Sequence, residues 1–361
     1  MKIRVADFFC GCGGTSAGLR AAGLKTLVGI DIDPEAEVTF RANFPQSDFL
    51  CLDARQLRPR ALEPALSRDR QYPLLFSACV PCQPFSKQNR QAVKRVSKLH
   101  DAALLDEFHR FISYFLPEYI FLENVPGLQK VSRRTGPFAR FLKHLSSLNY
   151  EVVTDVVACQ EYGVPQKRQR LVLLASRLGP IELPAQTHGT SPNLRPYSTV
   201  REWISKYPSI AAGEEHSAIP NHRARALSAR NLARIRATPQ GGSRRDWPES
   251  LVLRCHEGHD GHTDVYGRLD WDRPAPALTT KCITLSNGRF GHPEQDRAIS
   301  VREAASLQTF PEDFVFHGSL TTMARHIGNA VPVLMAKTFG QAIVRHYACL
   351  FREKHCRARR A

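Results

Sequence analysis

A cysteine between two prolines is kept out of regular helix, because proline fixes its own φ and restricts the residue before it. Pro81-Cys82-Gln83-Pro84-Phe85-Ser86 has this form and follows the apolar run Leu74–Ala78. A cysteine fixed at the end of a strand is a candidate nucleophile. Two other segments carry groups that would serve it. Phe121-Leu122-Glu123-Asn124-Val125-Pro126-Gly127 ends a second apolar run with an acid and a carboxamide. Tyr162-Gly163-Val164-Pro165-Gln166-Lys167-Arg168-Gln169-Arg170 leads two arginines, at i and i+2, into a third. Strand alternation predicts Arg168 and Arg170 on one face.

A different chemistry is suggested at the beginning of the chain. Asp7-Phe8-Phe9-Cys10-Gly11-Cys12-Gly13-Gly14 is a strand running into a glycine turn that opens a helix. Glycines there admit a ligand close to the backbone, and a helix N-terminus favours negative charge. A nicotinamide cofactor fits poorly, since G-x-G-x-x-G would need glycine where Ser16 stands. Asp31 ends the next strand, where an acid can bond ribose hydroxyls. Asp53 closes a possible third strand.

The elements that must position these groups alternate. Strands are predicted over Ile3–Phe9, Thr26–Asp31, Leu74–Ala78, Tyr119–Glu123, Val152–Val157 and Arg170–Ser176. Helices are predicted over Gly14–Ala22, after Pro34 and near Asp101–Leu116. Such alternation implies a largely parallel sheet with helices on both faces and ligands at the carboxyl ends of its strands. Residues 179–220 are rich in Pro, Ser and Thr without a clear period, and Asn221–Arg236 holds five arginines and no acid. Helical signals return at Ser300, which with Glu303 forms a capping box, and a last helix is predicted from Pro332 to about Leu350. The organisation expected is an α/β domain over 1–178, an inserted irregular domain over 179–290 and a return to the first domain over 291–361.

Composition narrows the class. Fifty Lys and Arg against thirty-four Asp and Glu give a net charge of +16, and the pI is near 9.7. A chain this basic attracts polyanions, nucleic acid above all. No apolar run approaches the roughly 18 residues that cross a bilayer, and Asp7 interrupts the first one, so a cytoplasmic location is expected. The ten cysteines then read as reduced packing or catalytic groups.

Taken in order, these segments resemble the DNA cytosine-5 methyltransferase family. Its Pro-Cys-Gln, Glu-Asn-Val and Gln-x-Arg-x-Arg signatures stand at Pro81–Gln83, Glu123–Val125 and Gln166–Arg170. Ser300–Pro311 and Gly328-Asn329-Ala330-Val331-Pro332 match later blocks, and the likeness covers roughly residues 3–178 and 266–345. The resemblance implies a Rossmann-like α/β fold dependent on S-adenosylmethionine, with the inserted segment as target-recognition domain. It implies that the Cys82 thiolate attacks carbon 6 of cytosine and that Glu123 bonds the ring nitrogen and exocyclic amine. Arg168 and Arg170 would orient Glu123 and hold the base. For the cofactor it implies Phe9 against the adenine, Gly11 and Gly13 beside the methionine portion, Asp31 on the ribose and Asp53 on the adenine amine. Pro81 and Asn329 would close that pocket, and no metal is needed. Asp31 stands where the family usually has Glu, one methylene longer.

Double-stranded DNA is the expected partner. Lys87, Arg90, Lys94, Arg95 and Lys98, with no acid among them, suit phosphate contacts beside Cys82, and Arg223–Arg236 suits the DNA backbone. Some of Arg244, Arg245, Arg254 and His256 are expected at base edges, while Phe290 reads as structural. Protection within a restriction system, with a cognate endonuclease as functional partner, and a monomeric state are expected. Transfer RNA is the rival substrate, but the Cys-Phe-Thr signature of the family member that modifies it is lacking. A catalytically silent DNA-binding relative would have lost Cys82, Glu123 or the arginines, and all are present. Cys79-Val80-Pro81-Cys82 also spells C-x-x-C. It lacks a matching second ligand pair for zinc, and it leaves open an oxidative pairing of Cys79 with Cys82. Cys255, His256, His259 and His262 read as a polar loop.

Overall fold

The computed structural model describes residues 2–81, 97–128, 136–256, 261 and 263–358. Two compact units divide the chain: Met1–Ala158 with Gln169–Ala185 and Val331–Ala361, and Cys159–Arg168 with Gln186–Ala330. Residues 291–330, expected with the first domain, therefore group with the second unit.

In the first unit, β1 (Arg4–Phe8), β2 (Lys25–Asp31), β3 (Asp48–Cys51), β4 (Leu74–Cys79), β5 (Tyr119–Asn124), β6 (Glu151–Ala158) and β8 (Gln169–Ser176) form one sheet. Helices α1 (Gly14–Ala21), α2 (Pro34–Asn43), α3 (Glu63–Leu66), α4 (Ser97–Phe115) and α5 (Pro137–Ser147) fall between the strands, and α10 (Val333–Ala358) closes the chain. The strand order is β3-β2-β1-β4-β5-β8-β6, parallel except that β8 runs against both its neighbours. Every residue of β1 and β5 is buried, as in a sheet covered on both faces. Phe8 and Phe76 on one face meet Phe108 and Phe111 of α4, with Phe8 ring centroids about 5 Å from each partner. On the other face Phe121 stacks on Phe339 of α10.

The connections between strands follow local rules. Asp33 caps α2 by accepting from the Glu35 N–H, and Pro34 takes the first helical position, where no N–H is needed. Strand order reverses between β1 and β4, which places a crevice at their carboxyl ends. Phe9, Gly11, Asp31 and Pro81 all stand at that edge.

The second unit has little regular structure. It contains α6 (Val200–Ile204), α7 (Ala229–Arg236), α8 (Val301–Leu307), α9 (Leu320–Asn329) and a two-stranded parallel pair, β7 (Gln166–Lys167) with β9 (Ala275–Pro276). Buried polar networks hold it together. The Ser300–Glu303 capping box is present, and Glu303 also takes both arms of the fully buried Arg297 at 2.7 and 2.8 Å. Burial alone would raise the Glu303 carboxyl; the Arg297 hydrogen bonds outweigh it and hold the group below its ordinary value. The pair's contribution is therefore present at neutral pH and lost as pH falls through that lowered value. Arg297→Ala strands a buried carboxylate and is expected to cost about 3–5 kcal/mol. Urea unfolding at pH 7 measures this, and a loss below about 1 kcal/mol would show that the pair is not a stabilising element.

Candidate active site

Glu123, 3% exposed, occupies the penultimate position of β5. Its register partner on β8 is Val172, so Arg170, two residues away, is its diagonal neighbour. The Arg170 Nε donates to Glu123 Oε1 at 2.6 Å, a charge-assisted bond that fixes one edge of the carboxylate. On the other side Cys79 stands directly opposite Glu123 in the β4–β5 register, and its thiol donates to Oε2 at 3.1 Å. Burial, followed by the Glu123 charge, pushes the Cys79 thiol well above its ordinary value. Cys79 is therefore a protonated donor and a poor source of the thiolate that disulfide exchange requires.

The carboxamide of Asn124 has a distinct task. Its Nδ2 donates to the Val80 carbonyl at 3.2 Å, and its Oδ1 accepts from the Val125 N–H at 2.7 Å. This ties the end of β5 to the chain leaving β4, where Pro81 is exposed. Cys82 and the basic residues Lys87, Arg90, Lys94 and Arg95 lie outside the described residues; Lys98 is in the first turn of α4.

Arg168 corrects the alternation argument. The strand breaks before it: β7 ends at Lys167, β8 starts at Gln169, and the Arg168 N–H donates to Gln166 O at 3.0 Å in a local turn. Arg168 thus does not share a strand face with Arg170. It is buried in the second unit, donating to the carbonyls of Leu278 at 2.9 Å and Gly328 at 3.0 Å. Asn329, next to Gly328, is the exposed last residue of α9.

Of the residues assigned to the cofactor, Phe9, Gly11, Gly13 and Asp31 gather at the turn after β1. Phe9 (φ 55°), Gly11 (φ +51°) and Gly13 (φ +96°) all have left-handed backbone, which is costly for a side chain as large as Phe9. A Cβ on Gly13 would lie 2.5 Å from the Phe44 ring, whereas one on Gly11 would meet nothing within 4 Å. Gly13 is glycine for packing; Gly11 faces open space. Asp31 Oδ2 accepts from the Gly11 N–H at 2.7 Å and Oδ1 from the Asp33 N–H at 3.0 Å, while burial raises its pKa. The Leu52 N–H bonds the Asp31 carbonyl, which brings Asp53 to the same edge. Asp53 pairs with Arg55. Cys10 and Cys12 are buried thiols, Cys12 pushed up to about 12 by burial, so they pack.

The sequence argument passed over three residues. Ile32, beside Asp31, is 63% exposed, the most exposed large hydrophobic among the described residues. Asp7 is an acid inside an apolar run, fully buried, bonded to Ser16 of α1 at 2.7 Å and Ser77 of β4 at 2.6 Å. The third is Cys79, visible as half of C-x-x-C but not as the partner of an acid forty-four positions away.

The expected recognition residues divide. Arg234 is buried, donating to Leu251 O and lying over the Trp247 ring, and Arg244 is buried against Gly261 O. These two are structural rather than free to reach DNA. Arg245 and Arg254 are exposed, and residues 257–260 and 262 lie outside the described set. Phe290 is 1% exposed and packs inside the unit.

Such a sheet, with one reversed strand beside its edge and a glycine turn after β1, is that of the α/β methyltransferases. A family model for C-5 cytosine-specific DNA methylases matches residues 3–345. The chain is 40% identical over 351 residues to the Type II methylase M.HgiDII of Herpetosiphon aurantiacus, covering 94% of this chain and 95% of that protein. It is 32% identical to the Type II methyltransferase M1.HphI of Haemophilus parahaemolyticus, over 96% and 87% of the two chains. A solved structure described as a DNA modification methyltransferase encoded within an E. coli prophage superposes with a TM-score of 0.74 at 21% identity, covering 95% and 99%. The chain belongs to the C-5 cytosine-specific DNA methylase family and is a DNA (cytosine-5) methyltransferase. Among the described residues no helix is long and apolar enough to cross a membrane.

Asp7 gives this site a pH signature. Burial raises its pKa from 3.8 to about 6, against the bonds from Ser77 and Ser16. Folding then favours the protonated form, and the stability it brings below the unfolded value is lost as pH rises through about 6. Asp7→Asn is expected to gain roughly 1–2 kcal/mol on the wild type between pH 5 and pH 8. Denaturant midpoints at the two pH values test it; a constant difference would mean that Asp7 does not titrate in this range.

Proposed function

We propose that Cys82, Glu123 and Arg170 carry the methyl transfer, with Cys82 attacking carbon 6 of a cytosine flipped from the duplex. Flipping costs a few kcal/mol, and carbon 5 of the intact ring is too poor a nucleophile to be methylated directly. Bond formation between the Cys82 sulfur and carbon 6 pushes electrons to carbon 5 and toward the ring nitrogen, where Glu123 supplies a proton. Once carbon 5 has taken the methyl group, loss of its proton to a base, return of the ring-nitrogen proton to Glu123 and departure of the Cys82 thiolate restore the ring. The observation that carries this reading is Glu123, buried at a strand end with Arg170 on one oxygen, opposite the strand whose chain leads to Cys82. Arg168, in contrast, acts on the backbone carbonyls of Leu278 and Gly328.

S-adenosylmethionine, when bound, supplies the methyl group. The turn after β1 fits it: Gly11 opens onto free space and Asp31 keeps unused acceptor capacity for a ribose hydroxyl. Phe9, Gly13, Asp53 and Pro81 complete the proposed pocket, with Ile32 offering an apolar surface. The second unit is proposed to recognise duplex DNA. As a Type II enzyme the protein would protect sites from a cognate endonuclease, acting as a cytoplasmic monomer.

Purified protein incubated with S-adenosylmethionine and unmodified genomic DNA, then read by base-resolution mapping, is expected to place 5-methylcytosine at one short recurring sequence. Cys82→Ala is expected to abolish the signal; full activity of that variant would remove Cys82 from the reaction. Gly11→Asn, which tolerates left-handed backbone, is expected to fold yet lose S-adenosylmethionine binding by more than about tenfold, because its side chain fills the open space. Unchanged binding by calorimetry would move the cofactor elsewhere.

A further inference from the structure

We propose that Cys79 is a positioning residue for methyl transfer, its thiol clamping Oε2 of Glu123 while Arg170 clamps Oε1. The proposal rests on the reading of Glu123 as the group that meets the cytosine edge. Three observations support it. The β4–β5 register sets Cys79 directly opposite Glu123, so the contact is built into the sheet. The sulfur lies 3.1 Å from Oε2, and Arg170 Nε lies 2.6 Å from Oε1. A carboxylate offers about four acceptor sites; one donor on each oxygen leaves one site on each, one to accept from the exocyclic amine of cytosine and one to carry the proton given to the ring nitrogen. The carboxyl plane is then fixed before the base arrives, which is where a proton-transferring group gains most.

The choice of a thiol has a chemical consequence. A thiol is a weak, uncharged donor, so it orients the carboxylate while stabilising its charge less than an ammonium would. Glu123 has to exchange a proton with the ring nitrogen, and a second cationic donor would oppose that exchange. The same contact, together with burial, keeps the Cys79 proton in place, so this cysteine is set apart from redox chemistry with Cys82.

Steady-state kinetics of Cys79→Ala, Cys79→Ser and Glu123→Ala, each with Cys79 or Glu123 as the only change, test the proposal. Cys79→Ala is expected to lower kcat about tenfold, the worth of one hydrogen bond to a charged group, with KM for DNA and for S-adenosylmethionine and the thermal midpoint unchanged. Cys79→Ser is expected to recover most of kcat because the hydroxyl donates from the same position. Full kcat in Cys79→Ala while Glu123→Ala is inactive overturns the role of Cys79 alone. Equal losses in the Ala and Ser variants also overturn it, since they indicate packing. An active Glu123→Ala overturns the reading of Glu123 on which the proposal stands. If Cys79→Ala does not fold, the S–H stretching band of the wild-type protein provides the test. It is expected to include a component at low frequency that disappears in Glu123→Ala, and its persistence there overturns the contact.

Discussion

A carboxyl group almost wholly removed from water must have its oxygens met by donors, and for Glu123 those donors come from the strands on either side. Cys79 arrives from β4 in direct register and Arg170 from β8 on the diagonal. The antiparallel direction of β8 matters here. It brings the beginning of that strand, rather than its end, to the carboxyl edge of β5, and so delivers an arginine from the chain entering the sheet. A one-residue slip in either pairing would turn the donor to the opposite face. Buried charge therefore constrains register across three strands, and the sheet's apolar core, which tolerates register in aggregate, does not have to.

The cofactor edge obeys a similar logic with weaker charges. A turn with three left-handed residues in five positions would be loose without external bonds. Asp31 supplies one, accepting from the Gly11 N–H. Asp7 supplies others, joining the first turn of α1 and β4 through Ser16 and Ser77. The cost is a buried acid with a pKa near 6. Stability is given up at neutral pH in order to hold a backbone shape that no apolar side chain could hold, because only polar groups impose direction.

The elements of the first unit were legible because fully buried strands read as short apolar runs punctuated by Gly, Pro and Asp. β1, β2, β4 and β5 fall within a residue or two of the runs that predict them, and the Ser300–Glu303 cap was readable from two residues. What was not legible depended on pairing. The i, i+2 spacing of Arg168 and Arg170 implies one face only if the strand is continuous, and the local turn at Arg168 breaks it. Likewise a run of arginines looks uniformly solvent-facing in sequence, yet Arg234 is drawn inward by Trp247 and the Leu251 carbonyl. Nor does the sequence show where the chain leaves one unit for another: residues 291–330 carry family blocks but pack with the irregular unit.

The two cysteines of Cys79-Val80-Pro81-Cys82 show why spacing is a poor guide to thiol chemistry. C-x-x-C suggests two interchangeable sulfurs, as in a redox pair or half of a zinc site. Reactivity follows the thiolate fraction, and that is set by local charge and solvent. Cys79 is the last residue of a buried strand, facing a carboxylate, and both conditions keep its proton on. Val80 and Pro81 follow Cys79 outside the strand, and Pro81 restricts the backbone of the residue before it. One carboxylate cannot favour a thiol and a thiolate alike; the group that holds Cys79 protonated would hold any nearby sulfur protonated too. The proposed nucleophile, three residues further along the sequence, therefore has to draw its thiolate from charges other than the carboxylate that Cys79 faces.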